Sequence, residues 1–213
     1  SINASHITLY SNSNMTDSYP LTGGQVNALS GLIGSYIITI ALTPHDLGYL
    51  KLNNTIGSSV ANTFLDVAPS VATDTFGNAV VRPVVLQALA VYPDLTFTRL
   101  IAFTYNANNG QLNLTFDNVV LIATFDPTAI TLQNGTKLNR NSYFTLTTAQ
   151  SVATYNNYVV VVIMDPLDLA QLKLMQGIGT NINNTYMTLS AYAVQDYLEK
   201  DVIAVTKGIQ ASL

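Results

Sequence analysis

Few residues in this chain of 213 could do chemistry. There is no cysteine, which removes thiol catalysis, zinc-thiolate sites and disulfides. The two histidines, His6 and His45, have no Ser or Asp partner at a recognisable spacing. They read as a strand flank and as a polar residue just inside a helix start. Glu199 is the one glutamate, so a carboxylate pair for glycoside hydrolysis would have to come from aspartates. Asp94, Asp117 and Asp126 are candidates for calcium at a domain junction, yet no Asp-x-Asp-x-Asp or EF-hand pattern accompanies them. Gly23-Gly24 and Gly177-Ile178-Gly179 lack the strand–GxGxxG–helix setting of a dinucleotide site and read as turns. No catalytic residue, cofactor-binding residue, cofactor or metal ligand is expected, and the chain reads as a non-enzyme.

Residues open to modification are more numerous. Six Asn-x-Ser/Thr sequons stand at Asn3, Asn14, Asn53, Asn113, Asn134 and Asn183. Roughly four would arise by chance in a chain this rich in Asn, Ser and Thr, so placement matters more than number. Asn14 and Asn134 share a loop after an Ile-Thr-Leu strand, and Asn113 alternates with Leu112 and Leu114, facing out if they face in. Tyr155, Tyr158, Tyr186, Tyr192 and Tyr197 could form a sugar-stacking patch; half-buried sheet tyrosines are the plainer reading.

The setting of these residues is a surface wetted by amides and hydroxyls. Charged residues make up 9% of the chain against 48% apolar, where an average soluble domain has roughly 25% charged. The formal charge is −4, with no basic stripe for nucleic acid and no polybasic segment for a membrane surface. The densest apolar run, Tyr158 to Met164, is strand-sized, so no bilayer span is expected. The start at Ser1, without Met or an apolar leader, fits a mature secreted product. An extracellular or cell-surface location is the expectation.

A repeat organises the chain. Tyr36 to Leu47 matches Tyr158 to Leu169 at an offset of 158 − 36 = 122. The same offset joins Pro44 to Pro166, Asp46 to Asp168, Lys51 to Lys173, Ile56 to Ile178, Gly57 to Gly179, Asn62 to Asn184 and Asp74 to Asp196. Upstream, with small slips, Ile7-Thr8-Leu9 answers Ile130-Thr131-Leu132 and Tyr19 answers Tyr143. Each copy reads mostly as strands. In the second copy these are Phe97 to Tyr105, Leu112 to Val120 after an Asn108-Asn109-Gly110 turn, Ile130 to Leu132, Tyr143 to Thr147, Tyr158 to Met164 and Tyr186 to Leu189. One short helix interrupts each copy. Asp165 is its N-cap, Pro166 its first residue, Asp168 sits in the positive first turn, and Leu169, Leu172 and Met175 make its packing stripe. Gly177 and Gly179 end it. Thr43, Pro44, Asp46, Leu47 and Leu50 repeat that logic in the first copy. The expected fold is all-β: two tandem β-sandwiches, 1–91 and 92–213, each with one short helix.

Gly110 to Val120, Asp126 to Asn134, Asp165 to Lys173, Asn184 to Ser190 and Ala193 to Asp196 together resemble tandem immunoglobulin-like repeats of large secreted proteins of aquatic microbial eukaryotes. The likeness rests on core and turn positions over nearly the whole chain. It implies immunoglobulin-like sandwiches in stalks, coats or surface filaments, with head-to-tail fibrils joined by an inserted strand as a setting. Tyr197 to Lys200 departs from the turn-like Thr75 to Asn78 of the first copy, which puts that loop in doubt.

The first copy reads as incomplete. The counterpart of Phe97 to Val120 would fall before residue 1, while 213 − 122 = 91 places the last residue at a repeat end. Three readings stand: an upstream segment omitted or a shorter first module, a hairpin shared by both sandwiches, or strands exchanged between protomers. The third predicts a head-to-tail filament made of copies of the chain, with Ile2 to Tyr10 and Val202 to Leu213 as the ends able to reach across. The leading function is a glycosylated structural subunit carrying N-glycans; an adhesin or carbohydrate-binding module is the alternative.

Overall fold

The computed structural model describes residues 2–27, 37–74, 76–82, 85–138, 142–153 and 157–212. Tyr36, Thr75, Tyr155 and Leu213, used above, lie outside them. The chain is mostly β-sheet, in several antiparallel sheets with two α-helices. It divides into two compact units, Ser1–Leu95 and Thr96–Leu213, a division four residues beyond the expected one.

In the second unit, strands β7 (Leu100–Asn106) and β8 (Gln111–Phe116) form a hairpin. Its turn needs glycine, because Gly110 has φ +73° and a Cβ there would meet Leu169 and Met164 at 3.2 Å. β8 pairs with β13 (Val159–Met164), which pairs with β12 (Ala149–Ala153). The second sheet runs β11 (Tyr143–Thr145), β10 (Ile130–Gln133), β14 (Tyr186–Leu189), β16 (Val205–Gln210). A two-strand ladder joins β9 (Val120–Leu121) to β15 (Gln195–Asp196). Residues alternate in and out along β8, β13 and β14, as a period of two demands. Leu112, Leu114 and Phe116 of β8 and Val160, Val162 and Met164 of β13 are buried, and so are Ile130, Leu132, Met187 and Leu189 of the other sheet. All belong to one apolar cluster.

The first unit has β1 (Ile7–Tyr10), β2 (Ser18–Pro20), β5 (Phe64–Val67) and β6 (Leu86–Gln87) in one sheet of order β2-β1-β5-β6. β3 (Gln25–Asn27) and β4 (Thr39–Ala41) form a separate pair. Helix α1 (Pro44–Leu52) and α2 (Pro166–Leu174) start 166 − 44 = 122 residues apart, as do β5 and β14, 186 − 64 = 122. Both helices begin as their sequences require. Asp165 accepts from the Leu167 N–H at 2.8 Å and Thr43 from the Asp46 N–H at 3.0 Å, each followed by proline. Leu172 is buried, and Leu169 and Met175 pack beside it on the core.

Three expectations need correction. Tyr19 pairs across from Leu9, and Phe144 from Leu132, so Tyr19 answers Phe144 and not Tyr143. A one-residue slip moves a side chain to the opposite face; Tyr19 is buried while Tyr143 is exposed. The ends are not spare strands either. Ile7–Tyr10 is paired on both sides, with β2 and β5, and Val205–Gln210 pairs with β14. Finally, the loop that Tyr197 to Lys200 put in doubt is the same turn as at Asp74. Asp196 accepts from the Leu198 and Lys200 N–H groups, as Asp74 does from Phe76 and Asn78. Glu199 takes φ +60° where Gly77 has +84°. A non-glycine residue is strained there by about 1 kcal/mol, so Glu199→Gly should raise stability by up to about 1 kcal/mol in denaturant titration.

Candidate functional site

The most distinctive surface is the face of the first unit next to β4. In the second unit β13 is flanked on one side by β12 and on the other by β8, with Val160 opposite Leu114 and Val162 opposite Leu112. Backbone bonds from Phe116 N to Tyr158 O (2.8 Å) and from Met164 N to Gly110 O (3.1 Å) close the two ends of that junction. Strand β4, its counterpart, pairs with β3 alone among the described residues. The side chains follow suit. Val160 is 0% exposed and Ile38 is 52% exposed. Val162, Met164, Leu132, Met187 and Leu172 are buried; their counterparts Ile40, Leu42, Leu9, Leu65 and Leu50 are only half-buried.

Away from this face the two units agree. Ile7 and Ile130, Leu21 and Leu146, Ile56 and Ile178, and Val71 and Ala193 are buried in both. Among described residues the first cluster has five buried members against twenty-one in the second. Lys173 donates to the carbonyl of Asn108 in the hairpin turn (3.4 Å), whereas Lys51, its counterpart, bonds the Asp94 carboxylate at 2.7 Å.

Asp46 and Asp168 do more than favour a helix start. Both are buried. Asp168 accepts from the Thr147 N–H and Oγ1 at 2.7 Å each. Asp46 accepts from the Thr22 N–H (3.1 Å), the Thr22 hydroxyl (2.9 Å) and the Tyr19 hydroxyl (2.9 Å). Each carboxylate thereby pins the segment between β2 and β3, or β11 and β12, to the helix start. Burial pushes the Asp46 carboxyl up, but its bonds from Thr22, Tyr19 and Thr43 outweigh this and hold it below the usual carboxylate value. Asp66 is likewise held low by the Arg82 guanidinium paired with it.

His45, expected to be uncoupled, has Nδ1 3.1 Å from the Tyr19 hydroxyl and 3.5 Å from Asp46 Oδ1. Tyr19 also stacks on Tyr49, centroids 4.1 Å apart and planes 11° apart. The second unit has Leu167 and Phe144 at these places yet keeps the threonine bonds to Asp168. The function common to both carboxylates is therefore the tether. A repeat register that sets Tyr19 against Tyr143 hides the Tyr–His–Asp contact, because Phe144 holds the matching place.

Neither a protein-family model, nor a curated protein, nor a solved structure matches the chain.

The sequons differ in their surroundings. Asn14 and Asn183 are exposed, Asn134 is half-buried. Asn3 caps a turn, accepting from the Ser5 N–H and hydroxyl, as Asp126 does from Thr128 in the second unit. Asn53 accepts likewise from Thr55 and donates Nδ2 to the Tyr49 hydroxyl at 3.2 Å. Asn113 is half-buried between the buried Leu112 and Leu114, its Nδ2 donating to Thr104 Oγ1 at 2.9 Å.

The remaining candidates are dispersed over local tasks. Asp117 accepts from the Arg99 N–H, Asp94 pairs with Lys51 and Asp126 caps its turn, and no group of three acidic or histidine side chains suited to a metal occurs among the described residues. His6 Nδ1 lies 3.1 Å from the Ser70 carbonyl. Tyr192 is exposed while Tyr158, Tyr186 and Tyr197 are half-buried. No helix among the described residues is long and apolar enough to cross a membrane.

Proposed function

We propose that the chain is a non-enzymatic extracellular structural protein: two tandem immunoglobulin-like β-sandwiches forming a repeating subunit of a glycosylated surface filament or coat. Its joint is the β4 face of the first unit, completed by a strand from another copy, and the chain of contacts is head-to-tail. The observation that carries this is the pairwise mismatch in burial between Ile38, Ile40 and Leu42 and their covered counterparts Val160, Val162 and Met164. An open strand edge beside half-exposed apolar side chains is a template for an added strand. Donor and acceptor are different surfaces, so the contact is heterologous and extends without closing.

The test is association. The chain should form oligomers in proportion to its concentration, and Ile40→Asp, which puts a charge on the acceptor face, should leave it monomeric by sedimentation velocity. A chain that stays monomeric at every concentration, or an Ile40→Asp variant that associates as the parent does, would refute the joint.

Sugar is expected first at Asn14, which is exposed on the β1–β2 loop, and also at Asn134 in the matching loop. Intact-mass measurement on secreted material before and after N-glycosidase should show the loss of at least one glycan. An unchanged mass would remove the glycoprotein part of the reading.

A further inference from the structure

Between Ala88 and Thr98 the chain has no strand or helix, and it displays large apolar side chains. Leu89 is fully exposed, Tyr92 is 88% exposed, Leu95 74% and Phe97 57%. Monomeric proteins bury such residues or use them. Their order has a meaning. At odd positions stand Leu89, Val91, Pro93, Leu95 and Phe97; at even positions stand Ala90, Tyr92, Asp94, Thr96 and Thr98. Laid out as a strand, one face would be wholly apolar and the other largely polar.

The last three, Leu95-Thr96-Phe97, repeat Leu114-Thr115-Phe116 of β8, the strand that covers the second unit. In β8 Leu114 and Phe116 are buried and Thr115 is turned away from the core.

We infer that this connector, in a second copy of the chain, is the strand that completes the first unit. The inference rests on the reading of the β4 face as an assembly joint and names the donor for it. The register follows from the second unit. Leu114 lies opposite Val160 and Asn113 opposite Val161. Subtracting 122 from the acceptor and 19 from the donor sets Leu95 opposite Ile38 and Asp94 opposite Thr39. The strand runs antiparallel to β4. Pro93 takes the place of Leu112 opposite Ile40; lacking an N–H, it ends the ladder there. Neither terminal stretch can play this role without leaving a sheet, since β1 and β16 are already paired. Lys51 bonds Asp94 within the same copy, which fixes the connector's middle to its own helix; Leu95 stays exposed, and Phe97 is covered on one side by the Lys200 ammonium, 5.7 Å from its ring centroid.

The chain has no cysteine of its own, so a disulfide reports the contact without ambiguity. Full-length Thr39→Cys and Asp94→Cys chains, mixed under mild oxidation, should give the mixed dimer at least about tenfold faster than Thr39→Cys with an exposed control, Thr136→Cys. In parallel, Leu95→Asp/Phe97→Asp should weaken self-association at least about tenfold with an unchanged melting curve, because both side chains are exposed in the single copy. If that double variant associates like the parent while Ile40→Asp does not, the joint stands and the donor lies elsewhere. If neither substitution matters, both the joint and the donor fall. A disulfide that forms in the Thr39→Cys/Asp94→Cys double variant but not in the mixture would place the connector in its own chain's face and overturn the second-copy donor.

Discussion

Leu132→Ala should destabilise the second unit by about 2–5 kcal/mol, while Leu9→Ala, at the matching place in the first, should cost only about 1–2 kcal/mol. Both leucines are the third residue of an Ile-Thr-Leu strand in the middle of a sheet. Leu132 is fully enclosed by side chains from two sheets, so truncating it leaves a cavity in a packed interior. Leu9 is half-buried in a cluster that has no counterpart of the β7–β8 layer among the described residues, so its truncation removes fewer packed contacts. Amide exchange resolves the units separately, with probes on β10 and β1. Equal losses would mean that the first unit is as closed as the second.

Asp168→Ala should cost about 3–6 kcal/mol, because hydrogen bonds to a charged acceptor contribute about 1.5–3 kcal/mol each and two short ones disappear together. Were Asp168 only a favourable charge in the first turn of α2, its loss would cost about 0.3–1 kcal/mol. Asp168→Asn separates the bonds from the charge: one amide oxygen still accepts from Thr147, so it should fall between the parent and the alanine variant. Denaturant titration followed through β12 and β13 amides is the measurement, and a loss under about 1 kcal/mol would return Asp168 to the weaker role.

What could be read in the sequence was what spacing encodes. The helix caps at Thr43 and Asp165, the inward set Leu112 and Leu114, the Asn108-Asn109-Gly110 turn and the strand Tyr186–Leu189 all stand where their local chemistry requires. The turn at Glu199 was hidden because glycine marks its counterpart at Gly77, and only the aspartate anchor reveals the common geometry. The tether at Asp46 and Asp168 was hidden for another reason: its partners Thr22 and Thr147 lie 24 and 21 residues away. The spacing places a strand start at Phe97, but β7 begins at Leu100, so the apolar alternation from Leu89 to Phe97 lies outside any strand.

Beside the aspartate-anchored turns stand others pinned by neutral groups. Asn62 and Asn184 bridge their loops through amide and hydroxyl bonds, Ser59 and Asn181 close the same boxes, and Asn12 ties the β1–β2 loop through Thr16. Dissolved ions weaken attraction between exposed charges over a screening length of about 8–10 Å, but they leave an amide–hydroxyl bond untouched. With 9% of its residues charged, the chain offers salinity little to act on. A melting temperature that stays level from dilute buffer to high salt is the expected behaviour, and it would leave the fold indifferent to the ionic strength around it.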